Sequence, residues 1–146
     1  MPAGMGLHPY FVRTPNSTIT AKTEKMWVND SENIPLSLEK SEEIKRLNHG
    51  FSVKQKSLDN LFCGWNREVL ISWPEWDAAL KISAKSPLDY LVIFTPPEED
   101  FFCVEPVSHV TDAFNLLENE PAGHGAKILL PDEVLEGEIS FVPVLN

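Results

Sequence analysis

The sequence predicts an all-β protein, an antiparallel β-sandwich, and three observations carry that expectation. Apolar runs of strand length recur through the second half at roughly ten-residue spacing. Breaks containing proline end them at Trp73-Pro74, Ser86-Pro87, Thr95-Pro96-Pro97 and Leu130-Pro131. Lys81 and Ser83 alternate with Leu80 and Ile82, the period-two pattern of a sheet with one wet face. Short strands bounded by proline suit antiparallel pairing better than a parallel sheet with crossover helices.

In chain order, Thr18 to Val28 alternates loosely and ends in Met26-Trp27-Val28, which reads as one strand. Ser37 to Asn48 is charged and carries only Ile44 and Leu47 as a thin helical stripe. With Pro35 before it and His49-Gly50 after it, the stretch reads as a loop with room for one helical turn. The strands of the second half are then Glu68 to Trp73, Ala79 to Ala84, Tyr90 to Thr95, Phe101 to Val104, Lys127 to Leu130 and Glu138 to Val142. No repeat or linker divides the chain, so residues 1–146 are expected to form one domain.

A chain of 146 residues has room for a real core, and 42% hydrophobic content fits a globular protein rather than a disordered one. The balance of 22 acidic against 12 basic side chains gives a net charge of −10, which repels a phosphate backbone. The basic cluster Lys40 to Arg46 is interrupted by Glu42 and Glu43, so no nucleic-acid partner is expected. No stretch reaches the length that spans a bilayer, and no basic region followed by an apolar run opens the chain. A cytoplasmic protein without a membrane partner is the expectation. Cys63 and Cys103 lack the spacing of a zinc or redox pair, which makes free, buried thiols their expected state.

Three constellations carry candidate chemistry. Phe102 to Asn115 reads FCVEPVSHVTDAFN and sets Glu105 just past an apolar strand, followed at once by Pro106. A carboxylate at the lip of a buried strand is poorly explained as a solubilising charge, so Glu105 reads as a site residue. Metal binding by Glu105, His109 and Asp112 is disfavoured, because Pro106 argues against the helix that would align the first two. Asp112 is expected to bond local backbone amides. Gly6 to Phe11 reads GLHPYF and offers His8, whose side-chain type exchanges protons near neutrality; taken alone, a histidine in a frayed terminal segment explains it better. Leu58 to Trp65 reads LDNLFCGW: Asp59 and Asn60 can bind vicinal hydroxyls, and Trp65 offers an apolar face to sugar C–H groups. A local turn accounts for the same residues equally well. His124, between Gly123 and Gly125, is read as solvent exposed. The chain shows no nucleophile elbow and no glycine-rich phosphate loop.

In this order, GLHPYF, LDNLFCGW and FCVEPVSHVTDAFN resemble the aldose 1-epimerase family, the galactose mutarotase-like proteins. Arg67 to Pro74 and Lys127 to Glu133 fit it as well, and the resemblance covers almost the whole chain. It implies a galactose mutarotase-like supersandwich and an isomerase that interconverts the α and β anomers of a hexose such as galactose or glucose. It further implies His8 as general acid, Glu105 as general base and Asp59 as a ligand of sugar hydroxyls, with no metal and no cofactor. The partner would be a small-molecule sugar. The rival expectation is a catalytically silent sugar-binding or interaction fragment of the same fold.

Two departures stand against the family pattern. The chain looks like the C-terminal portion of a mutarotase, about half the family's usual length, with the sandwich incomplete at its N-terminal side. Uncovered strands such as Tyr90 to Thr95 then lead to the expectation of a homo-oligomer burying roughly 1,000 Å² or more. Asp132 also stands where the family usually has glycine in a turn.

Overall fold

The computed structural model describes residues 1–54, 56–117 and 123–145. It has thirteen short strands among these residues: Pro2–Ala3 (β1), Tyr10–Val12 (β2), Thr18–Ala21 (β3), Lys25–Asn29 (β4), Pro35–Glu39 (β5), Phe51–Ser52 (β6), Asp59–Cys63 (β7), Glu68–Trp73 (β8), Ala78–Ala84 (β9), Tyr90–Phe94 (β10), Phe101–Val107 (β11), Lys127–Ile128 (β12) and Ile139–Leu145 (β13). Two α-helices, Glu42–His49 (α1) and Ala113–Leu116 (α2), and a 3-10 turn at Pro74–Trp76 accompany them. Neither is long and apolar enough to cross a membrane.

All of the strand pairings are antiparallel, as the proline punctuation predicted. Of the two large sheets one has the order β2-β11-β10-β7-β4-β5 and the other β13-β9-β8-β3-β6, while β1 and β12 form a separate pair. Between them lies a core to which Phe62, Leu91, Ile93, Phe102 and Val104 come from the first sheet and Ile19, Val69, Ile71 and Ile82 from the second. These residues alternate with outward-facing neighbours, so a period of two selects the core.

Three readings of the first half are corrected by the fold. Thr18 to Val28 is two strands, β3 and β4, which lie in different sheets because the chain crosses over at residues 22–24. Ser37 to Asn48 is mostly ordered: β5 pairs with β4, and α1 forms two turns with Ile44 and Leu47 buried in the core. Gly50, in the left-handed region at φ 108°, ends that helix. The LDNLFCGW segment is a strand for its first residues rather than a turn, with Asp59 paired to Phe94 and Leu61 to Val92.

The reverse face of β10 is not left to water. Residues from the described stretches 107–117 and 123–126 lie over it: Val110 and Ala113 with Leu61 form a second apolar cluster against which Val92 and Tyr90 pack. Both faces of β10 are thus packed within the chain itself. Of Lys127 to Leu130, only Lys127 and Ile128 form a strand, paired with Ala3 and Pro2. Asp132 adopts φ 68°, and Glu133 N–H still bonds Leu130 C=O at 3.2 Å. Aspartate tolerates the left-handed region better than most residues, so the turn forms without the glycine.

Candidate active site

The site is built on β11. Counting by two along this strand places Phe101, Cys103 and Glu105 on the face opposite the core, while Phe102 and Val104 point inward. Glu105 and Pro106 therefore lie within the strand, not beyond it as the sequence reading had them. Proline is admissible there because its missing donor faces the edge segment, where its carbonyl accepts from Leu7 N–H at 3.2 Å.

That edge segment carries His8. Gly6 bridges Val107 and Tyr10 pairs with Cys103 in one common antiparallel register, which sets His8 opposite Glu105. The ladder lapses at Pro9, which has no N–H to give. The N-terminal segment is thus tied down along its length: Ser108 N–H also bonds Met5 C=O at 2.8 Å, and the frayed-terminus reading of His8 does not hold. Gly6 permits the close approach, since a Cβ there would lie 2.6 Å from Val107 Cγ1 and 3.2 Å from Pro106 O. Gly6→Ala is expected to cost about 1–3 kcal/mol by overpacking and to push the His8 segment off β11. Thermal denaturation checks the first, and a weakened response to sugar the second; an unshifted midpoint would show that the contact is soft.

His8 Nε2 lies 3.3 Å from Glu105 Oε1. The two side chains differ sharply in exposure, 51% for His8 and 11% for Glu105. Burial raises the Glu105 pKa above the usual carboxylate range; the His8 charge pulls it down and the Asp59 charge pushes it up. Cys103, on the same face, is fully buried, and burial lifts its thiol to about 11, with the Glu105 charge acting in the same direction. Asp59 opens β7 and shares a cross-strand row with Phe94 and Cys103. Two strand spacings, roughly 10 Å at the backbone, separate it from β11, so Asp59 and Glu105 can reach toward opposite sides of one small ring.

The structure thus brings His8, Asp59 and Glu105 together and leaves Trp65 out. Trp65 is 6% exposed in the main core, and its indole N–H bonds Glu68 C=O at 2.9 Å. It follows the far end of β7 from Asp59, so the role of apolar sugar platform at this site is corrected for it. Aromatic residues that sequence reasoning missed lie beside His8 instead. Tyr10 is well exposed, and its ring stacks with His8 at 4.9 Å and meets Phe101 at 4.9 Å; Phe94 lies 6.4 Å from Phe101. The period-two count from Glu105 could have found Cys103 and Phe101, and Tyr10 stands inside the histidine motif itself.

Other candidates move elsewhere. His109 stacks on Phe114 at 5.9 Å, and burial lowers its pKa. Asp112 takes φ 59°; its carboxylate accepts from the Asn115 side chain, and its carbonyl rather than its side chain serves the local amides. His124 is 6% exposed, not solvated: Ala126 N–H donates to its Nδ1 at 3.1 Å. Cys63 is a free thiol but only partly buried. Among the described residues, the fold gathers one group with metal-ligand chemistry, and it is not Glu105, His109 and Asp112; it is His8, Cys103 and Glu105.

Comparison with known proteins bears on the whole arrangement. The model of a protein family described as aldose 1-epimerase matches residues 1–142. Uncharacterized protein YphB of Escherichia coli (strain K12) is 28% identical over 156 aligned residues, which cover 97% of this chain and 50% of that protein. A solved structure from Escherichia coli K12, described as a putative aldose 1-epimerase, superimposes with a TM-score of 0.85 at 26% identity, over 100% of this chain and 52% of that one. A galactose mutarotase-like protein from Clostridium acetobutylicum also gives 0.85, at 21% identity, over 100% of this chain and 48% of that one. The latter likeness speaks to the fold alone. The chain spans about half the length of these relatives.

Proposed function

This chain belongs to the aldose 1-epimerase family, and we propose that it interconverts the α and β anomers of a hexose such as galactose or glucose. The observation that supports this reading most is the His8–Glu105 pair, an exposed imidazole 3.3 Å from a buried carboxylate on the face of a sheet. Anomer exchange needs a proton removed from the C1 hydroxyl and one delivered to the ring oxygen, and both oxygens are bonded to the same carbon. An acid and a base side by side fit that demand.

In the proposed cycle Glu105 accepts the C1 hydroxyl proton as His8 gives its proton to the ring oxygen. The C1–oxygen bond breaks, and the open-chain aldehyde forms. Rotation about C1–C2 presents the other face of the carbonyl; closure returns the proton from Glu105 to the new hydroxyl and restores the proton to His8. Asp59 would accept hydrogen bonds from sugar hydroxyls, and the rings of Tyr10 and Phe101 would meet sugar C–H groups. Cytoplasmic hexose metabolism is the setting we propose.

Optical rotation of freshly dissolved α-galactose, followed with and without protein, tests the reading. The expected outcome is an approach to equilibrium faster than in buffer. A rate equal to the buffer's would remove the enzyme reading. Because the chain spans about half the length of its relatives, sugar binding without turnover is the second reading, and sugar-dependent thermal stabilisation in that same sample would support it.

A further inference from the structure

We infer that His8, Cys103 and Glu105 form an inhibitory site for a thiophilic divalent cation of the Zn²⁺ type, bound in competition with the sugar. The inhibitory role rests on the anomer-exchange reading above; the cation site itself does not. The ligand atoms of the three residues all lie within 4.8 Å of one another. Tetrahedral Zn²⁺, with bonds of roughly 2.0–2.3 Å, wants its ligands roughly 3.3–3.8 Å apart. His8 Nε2 and Glu105 Oε1 already meet that spacing at 3.3 Å. Closing the thiol onto them takes about 1 Å, within reach of side-chain rotation.

The backbone explains why the three converge. Cys103 and Glu105 are two residues apart on β11 and share a face, and His8 arrives opposite Glu105 through the register of β2 and its lead-in. One soft sulfur, one imidazole and one carboxylate make a donor set suited to Zn²⁺ rather than to Mg²⁺ or Ca²⁺, which prefer oxygen alone. The half-exposed His8 marks the side from which an ion enters, and the fourth position stays open to water. Coordination releases the thiol proton of Cys103 to solvent. It also engages His8 and Glu105 themselves, so neither could then exchange a proton with a sugar.

Co²⁺ titration of the metal-stripped protein tests this, because a thiolate ligand announces itself by a charge-transfer band in the near ultraviolet. The expected result is that band, saturating at one ion per chain and displaced by Zn²⁺. Cys103→Ser should abolish it and Cys63→Ser should leave it. His8→Asn, at an exposed position that does not threaten folding, should weaken Co²⁺ binding at least as much as the roughly 10–100-fold lost with an outer-shell partner. Zn²⁺ should raise the apparent KM for galactose. Absence of the band, its survival in Cys103→Ser, or Co²⁺ affinity unchanged in His8→Asn would overturn the site. A protein that accelerates mutarotation yet shows no band sinks this inference alone. One that shows the band without mutarotation keeps the cation site and loses both its inhibitory role and the proposed activity.

Discussion

Glu105→Gln is expected to lower the mutarotation rate by about 10²–10⁴-fold, the range a positioned acid or base supplies, while the thermal midpoint stays equal to or above that of the parent chain. Glutamine keeps the shape of the side chain and can still bond His8, but its amide does not accept the C1 hydroxyl proton. The stability half of the expectation follows from the environment. Burial raises the Glu105 pKa, so in the folded protein near neutrality the ionised form is held at a disadvantage. A neutral isostere carries no such penalty. Rate and midpoint measured on one preparation check both parts; retention of most of the parent rate would remove Glu105 from the role of base.

His8→Asn is expected to cost a similar 10²–10⁴-fold in rate with a change in stability within about 0.5 kcal/mol. The ring is half exposed and stacks on Tyr10 at the surface, so little packing is lost. Asparagine can hydrogen-bond Glu105 yet has no proton to deliver to the ring oxygen. If polarimetry on this variant returns the parent rate, His8 is not the acid, and attention moves to His109, which sits beyond the end of β11 against Phe114.

Much of the candidate site was legible because its residues are concentrated in short motifs. Glu105 stood out as a charge embedded in apolar sequence, and the ordered motifs pointed to His8 and Asp59 with it. Trp65 was misassigned because proximity in sequence to Asp59 was read as proximity in space. Along a strand, five or six residues carry the chain roughly 20 Å, and an indole at the far end enters the core instead. Tyr10, Phe101 and Cys103 were missed for the complementary reason: they join the site through pairing between β2, β11 and β10, which no local pattern displays. His124 reads as solvated on the strength of its flanking glycines, whereas the fold buries it, with Val110 N–H bonding its carbonyl and Ala126 N–H its ring Nδ1.

What the sequence determined by itself is what depends on local stereochemistry. Period-two alternation and proline breaks establish antiparallel strands, and a carboxylate inside an apolar run singles out Glu105 as a candidate. What only the tertiary structure decided is partnership across distance. It sent β3 and β4 to different sheets, recruited α1 to the core through Ile44 and Leu47, and laid Val110 and Ala113 over β10. It also set His8 opposite Glu105, nearly a hundred positions away in the chain, through the register that begins at Gly6 and resumes at Tyr10. Register is a sum of many weak cross-strand terms, so it is fixed only when the strands have met.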